Sequence, residues 1–327
     1  MADPTPSSTL APPLTPLSWR RSPRAWLYAL WKFWRPHTVI GTGLSVVGIA
    51  VMVVALLPLR QLGPALPLVL VALGACWLGN LYIVGLNQLE DIAIDRINKP
   101  HLPLASGEFS LGQGRWIVAL AGLGALLLGG LGGPWLLATV GLSLAIGTAY
   151  SLPPCRLKRF PFWASFCILA VRGMVVNLGL FLHFSDRLQL PLTLPSQLWA
   201  LTLFILGFSI AIAWFKDIPD IEGDRRYGIS TLSVRLGPGQ VFNLGRALLT
   251  GCYLAMVLAD PALTQVNRPL LVISHLGLLG WLWVVSLRVN PRPETHRAAL
   301  SYPAFYQFIW KLFFLEYLLF PLACWLA

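Results

Sequence analysis

Nine times along this 327-residue chain a run of apolar residues recurs, each near the length that crosses a bilayer. A helix needs about 20 such residues to span the hydrocarbon. The runs fall at residues 39–57, 66–87, 116–131, 135–152, 162–184, 198–215, 241–258, 270–287 and 305–325. In lipid every backbone N–H and C=O must be satisfied within its own segment, so each run predicts a helix rather than a strand. Only 11% of the residues are charged, where a soluble domain carries about 25%. The expected fold class is therefore all-α: a polytopic membrane protein with nine transmembrane helices. Only Gly132-Gly133-Pro134 separates the third run from the fourth. A tight helical hairpin gives nine spans there, and a merged helix gives eight.

The basic residues test that count. Cytoplasmic loops of membrane proteins carry an excess of Lys and Arg. With nine spans, the N-terminal segment and every second connection hold twenty of the 24 basic residues, including Arg246 and Lys311 near span starts. The opposite connections hold only Arg60, Arg187 and Arg268, and Arg172 lies inside a span. The split predicts a cytoplasmic N-terminus. The net charge of +11 thus orients the chain in the membrane. It does not signal nucleic acid, because no basic stripe is interleaved with exposed aromatics.

Residues 1–18 are rich in Pro, Ser and Thr and predict a disordered tail. They carry neither a signal-peptide pattern nor the Arg-rich character of a transit peptide. Residues 19–327 then form one membrane domain. It opens on Trp26 to Trp34, an aromatic and cationic segment suited to an interfacial helix. The five Cys and five His are scattered, with no CxxC or HExxH spacing, so neither type predicts a disulfide frame or a zinc site.

The acidic residues are not scattered. Seven of the 13 lie in two stretches, Asn87 to Pro100 and Lys216 to Arg226, each directly after an apolar run and each on the cytoplasmic side of the predicted topology. Asn87, Asp91 and Asp95 stand at i, i+4 and i+8, and share one face if the second helix continues that far. Asp217, Asp220 and Asp224 follow at i, i+3 and i+7, where Pro219 argues against a continuous helix. Mg²⁺ takes such hard oxygen ligands, usually one or two carboxylates together with substrate phosphates. Two solvated helix caps are the plainer alternative, but carboxylates doubled on one face favour metal. The neighbouring cations, with Lys216 beside the first Asp of its cluster, suit a diphosphate leaving group.

Arg172 is a separate case. A cation inside a span costs roughly 2.5–3.5 kcal/mol or more, so it must either pair with a carboxylate or face a polar cavity, and the sequence leaves both open. Glu316, in the last span, poses the same question. The glycines from Gly122 to Gly133 predict close helix packing, since no GxGxxG or Walker pattern sits in a strand–helix setting. A metal–diphosphate site beside a membrane interior suits a polyprenyl diphosphate.

Asn87-x-x-x-Asp91-x-x-x-Asp95 and Asp217-x-x-Asp220-x-x-x-Asp224 resemble the paired Asp-rich motifs of the UbiA-type intramembrane aromatic prenyltransferases. Asn98-Lys99-Pro100, Leu102 to Glu108, Tyr150 to Pro154 and Lys216 to Asp224 resemble the homogentisate branch of that family, as does Gln88 directly after Asn87. The resemblance spans nearly the whole chain from Arg35-Pro36-His37-Thr38 onward. It implies nine helices around a central cavity, capped on the cytoplasmic or stromal side by the Asp-bearing loops. It also implies Mg²⁺ held by Asp91, Asp95, Asp217, Asp220 and Asp224 with Asn87 assisting, and Lys158, Arg172 and Lys216 contacting the diphosphate or the acceptor. The implied reaction moves a prenyl group, phytyl ahead of geranylgeranyl or solanesyl, from its diphosphate to homogentisate with loss of CO₂. Other acceptors, such as a chlorophyllide, a naphthoate or 4-hydroxybenzoate, form one set of alternatives. A divalent-cation transporter is the non-enzymatic one, disfavoured because the acids gather at one face.

Overall fold

The computed structural model describes residues 16–60, 63–221, 225, 231–290 and 301–327. Of the expected tail, residues 1–15 lie outside them. The first helix, α1 (Pro23–Trp34), buries Ala29 and Phe33 and leaves Leu27, Tyr28 and Trp31 exposed. That two-faced character suits a helix lying at the headgroups. Lys32 fixes it to the rest of the molecule by donating to Glu108 at 2.5–2.7 Å.

The spanning helices follow as α2 (Pro36–Val54), α3 (Leu66–Glu90), α6 (Leu111–Gly132) and α7 (Pro134–Ser151). Two short helices, α4 (Ile92–Asn98) and α5 (Pro103–Ser106), connect α3 to α6. The fifth span is composite: α8 (Pro161–Leu169), a π-helical turn (Ala170–Val175) and α9 (Val176–Arg187). Then come α10 (Ser196–Asp217), the short α11 (Leu232–Leu236), α12 (Pro238–Ala259), α13 (Arg268–Ser286) and α14 (Tyr302–Trp325). Among the described residues nine helices are long and apolar enough to cross a membrane. The hairpin, not the merged helix, is formed. Gly133 takes φ +113°, where L side chains are rarely found, and Pro134 opens α7 at its first position.

The second span does not run on to Asp95 as a single helix. It stops at Glu90, Asp91 leaves helical geometry at φ −110°, ψ 17°, and α4 restarts at Ile92. The predicted common face of Asn87, Asp91 and Asp95 is therefore broken at its middle member.

The glycine-rich stretch does what its composition predicts. A Cβ on Gly122 would stand 2.7 Å from the Tyr82 ring, so only glycine lets α6 approach α3 this closely. On the outer side of α6, Leu120, Leu123, Leu127 and Leu131 recur at helical spacing and are exposed, a face made for lipid. Between α10, α12, α13 and α14 the core is aromatic: Phe204, Phe208 and Tyr253 contact one another, and Phe313 packs on Phe208. Within it His275 Nε2 meets Glu316 Oε1 at 3.3 Å, both side chains essentially inaccessible.

Candidate active site

The last turn of α3 carries Asn87 to the wall of an internal cavity, and the helix breaks after Glu90, before the next carboxylates. The backbone around the break stays satisfied: Asp91 N–H donates to Asn87 C=O at 3.1 Å, and Asp95 N–H to Asp91 C=O at 2.7 Å. Asp91 caps nothing with its side chain, because that carboxylate is taken by the connection after α7. Lys158 Nζ donates to its Oδ1 at 2.7 Å, and Arg156 Nη2 lies 3.6 Å away.

Asp95 is different. It is 5% exposed, and its Oδ2 has no hydrogen-bond partner among the described residues. Burial pushes its carboxyl above the usual carboxylate range, against the pull of Lys99 and Arg35. A buried, unsatisfied oxygen of this kind costs about 1–3 kcal/mol or more, and persists where something else is meant to fill it. A hard cation fits the donor set here: one unpartnered carboxylate oxygen, a second carboxylate now held by an ammonium, and an amide oxygen close by. The protein alone does not complete such a site. Among the described residues no three His, Cys, Asp or Glu side chains stand together as a metal cluster.

The second acidic stretch starts inside α10, which ends on Lys216 and Asp217; Ile218 is buried and Pro219-Asp220 turn. Lys216 and Asp220 are exposed and Asp217 is half-buried. Asp224 lies outside the described residues. The two stretches meet at one end of the bundle. Lys99, next to the first, lies within reach of the charges of Lys216 and Asp220 in the second. Tyr306 on α14 lies within reach of Asp217, Asp220 and Arg172 together.

Beneath this mouth is a cavity of about 280 Å³, walled by α2, α3, α7, the composite fifth span and α14. Its lining is mostly apolar, with polar groups at Thr38, Asn80, Asn87 and Tyr150. Arg172 enters from the π-helical turn. Such a turn adds a residue to the helix and is found mostly at functional positions. The Arg172 guanidinium lies over the rings of Trp310 at 5.0 Å and Phe313 at 5.6 Å. No carboxylate among the described residues pairs with it, so the choice left open by the sequence resolves to the cavity. Glu316 resolves the other way, into its contact with His275.

Of the predicted residues, then, Asn87 and Arg172 share the cavity, and Asp91 and Lys158 touch each other rather than the cavity wall. Sequence reasoning missed Arg35. Counted only as an orientation charge, it lines the cavity from between α1 and α2, held at φ 57°. A left-handed conformation costs a non-glycine residue about 1–3 kcal/mol and gathers at working sites. His37 and Tyr150 also line the cavity; both stand in the family-like segments, where sequence gave neither a role. The signal was proximity to those motifs, not residue chemistry.

Residues 45–312 match the UbiA prenyltransferase family. The chain belongs to that family. This UbiA prenyltransferase is 55% identical over 304 residues to homogentisate phytyltransferase of Synechocystis sp., covering 92% of this chain and 97% of that one. It is 41% identical over 305 residues to homogentisate geranylgeranyltransferase of Triticum aestivum, covering 90% and 72%. A solved UbiA homolog from Archaeoglobus fulgidus, bound to GPP and Mg²⁺, superposes with a TM-score of 0.59 at 16% identity, covering 91% of this chain and 100% of that one. At that identity the likeness concerns the fold.

Proposed function

We propose that this UbiA prenyltransferase transfers a phytyl group from phytyl diphosphate to homogentisate with loss of CO₂, a step toward tocopherol. The observation that carries the proposal is 55% identity to a homogentisate phytyltransferase across nearly the full length of both chains. Phytyl is put ahead of geranylgeranyl on that cyanobacterial relative alone, since a plant homogentisate phytyltransferase and the geranylgeranyltransferase are about equally similar to this chain, at 40% and 41% identity. The concentration of basic residues at the Asp-bearing end supports a mouth on the cytoplasmic or stromal face, and the cyanobacterial relative supports a photosynthetic membrane.

The residues divide the work by position. Asn87, Asp91, Asp95, Asp217, Asp220 and Asp224 would hold Mg²⁺ at the mouth, in keeping with the Mg²⁺ bound by the archaeal relative. When bound, the metal supplies charge neutralisation that makes the diphosphate a better leaving group. Lys216 and Arg35 add positive charge for the diphosphate from opposite sides of the mouth. Lys158 holds Asp91 in place. Departure of the diphosphate leaves an allylic cation, which the aromatic side chains of the cavity wall stabilise. Arg172 binds the carboxylate of the acceptor and so turns its electron-rich ring toward that cation. At about 280 Å³ the cavity falls at or below the lower end of small-molecule pockets, roughly 300–1,000 Å³. It suits the aromatic acceptor and the reacting end of the prenyl chain; the remainder of the tail lies along apolar helix surface.

Membranes containing the protein are incubated with homogentisate and labelled phytyl diphosphate, with Mg²⁺ or with a chelator. Formation of a methyl-phytyl-quinol that the chelator abolishes is the expected result. Prenylation of another acceptor while homogentisate is left untouched would overturn the assignment.

A further inference from the structure

The proposed reaction moves a proton as well as a prenyl group, and none of the groups that hold metal, diphosphate or acceptor carries it. A carrier is needed only if that reaction is the true one, so its assignment rests on the proposed function. The diphosphate leaves with the electron pair of its C–O bond. A ring carbon of the acceptor supplies the pair for the new C–C bond and then gives up its hydrogen as a proton. The side-chain carbon that loses CO₂ keeps the pair of the broken bond and takes up one proton, becoming a methyl group. One proton is released and one consumed on the same molecule. A single base that accepts and later donates therefore completes the reaction with no further reactant.

The cavity wall offers one imidazole among its described lining residues, His37. It stands in the first turn of α2, directly after Pro36, and its ring forms no hydrogen bond with another described residue. Its ring packs edge-on against Trp310, with centroids 5.3 Å apart. The same indole carries the Arg172 guanidinium at 5.0 Å. An acceptor whose carboxylate rests on Arg172 thus has the carbon that loses CO₂ beside the indole against which His37 lies. The remaining protic side chains of the wall are less suited: Tyr317 is already donating to Asn177 at 2.9 Å, and Tyr150 is a phenol, a poor base at neutral pH. Imidazole is a side chain that can both accept and release a proton, and here Arg35, Arg172 and Lys99 face it and favour its neutral, proton-accepting form.

We propose that His37 is the proton carrier of the reaction, taking the proton from the prenylated ring and returning it to the carbon that loses CO₂. The test is turnover of purified wild type, His37→Ala and His37→Gln with homogentisate and phytyl diphosphate, in the presence and absence of added imidazole. A fall in kcat of about 100-fold is expected for both variants, with KM for both substrates within threefold of wild type. Imidazole is expected to restore at least a tenth of the lost rate to His37→Ala, whose side-chain space it can enter, and none to His37→Gln. Thermal midpoints of the purified proteins identify a variant that has lost its fold, and the other variant then decides. Overturning results are a kcat within threefold of wild type in a folded variant, or a loss in folded His37→Ala that imidazole does not touch. Wild-type protein that does not prenylate homogentisate at all would instead sink the underlying reaction, a distinct outcome.

Discussion

Two ionisable clusters lie within the membrane-spanning helices, and they are built on opposite terms. Glu316 and His275 meet inside a sealed aromatic core, each the other's polar partner across α13 and α14, with both side chains inaccessible. Arg172 lies in the cavity against Trp310 and Phe313 and has no carboxylate partner among the described residues. A charge in a low-dielectric interior must be compensated or it costs several kcal/mol. In the first cluster the protein supplies the compensation; in the second it leaves the place open. Glu316 also leaves Oε2 unpartnered but holds His275 through Oε1, whereas the Asp95 side chain, buried at the mouth, has no ion pair among the described residues and so belongs with Arg172. The difference teaches that burial of a charge does not itself mark function. Burial without an internal partner, at a cavity, does.

The largest effect expected from this contrast is at Asp95. Asp95→Asn keeps the shape but removes the charge offered to a cation, and metal stabilisation of a departing diphosphate amounts to several kcal/mol. Turnover is expected to fall about a thousandfold, like the fall expected on chelation, while the thermal midpoint stays level or rises because a buried carboxylate is gone. Turnover within threefold of wild type would move Asp95 into the self-contained class with Glu316.

The sealed pair responds in stability instead. Glu316→Leu leaves an imidazole buried without its partner, and breaking a buried pair in this way costs about 3–5 kcal/mol. The purified variant is expected to melt well below wild type, with turnover per folded molecule little changed. Adding His275→Leu removes the stranded partner and recovers most of the loss. If the double variant melts lower than either single one, the pair is not compensating itself, and the contrast with Arg172 fails.

Arg172→Gln sharpens the same contrast from the cavity side. A hydrogen bond to a charged group is worth about 1.5–3 kcal/mol. The second-order rate constant for homogentisate should fall about tenfold to a hundredfold, through KM for the acceptor rather than for phytyl diphosphate, with no loss of thermal stability. Equal losses for both substrates would assign Arg172 to the diphosphate instead.

Which of these features the sequence reveals depends on how local each one is. The nine spans are legible because a bilayer sets one length and every segment must satisfy its own backbone. Arg172 is legible as an anomaly because a lone cation stands in a run of apolar residues. Its π-helical turn is not, since one inserted residue leaves the apolar pattern unchanged. At the break the Asp91 carboxylate is held by Lys158 from 67 positions away, and no helix-end signal in the local sequence encodes that contact. The pairing of His275 with Glu316, 41 positions apart, is hidden for the same reason, because dispersed His residues reveal partners only when helices pack. Asp220 lies within reach of Lys99 beside the first cluster, whereas Asp224 lies outside the described residues.

The smallest effect expected lies where the two classes adjoin along one helix. Glu316 and Tyr317 are sequence neighbours, and the turn of about 100° between consecutive residues sends one into the sealed core and the other to the cavity wall. Tyr317 O–H donates to Asn177 Oδ1 at 2.9 Å, and Asn177 is fully buried with its Nδ2 unpartnered. Tyr317 is thus half fixed and half open: its hydroxyl is tied to the protein while its ring faces the substrate space. Tyr317→Phe keeps the ring and strips Asn177 of its donor, a loss of about 1 kcal/mol for a hydrogen bond of ordinary strength. The thermal midpoint should drop slightly, and kcat should stay within a few-fold of wild type because the aromatic face toward the cavity is unchanged. A large fall in kcat at unchanged stability would mean that the hydroxyl, and not the ring, serves the reaction. Tyr317 would then join Arg172 as a polar group held in reserve for the substrate.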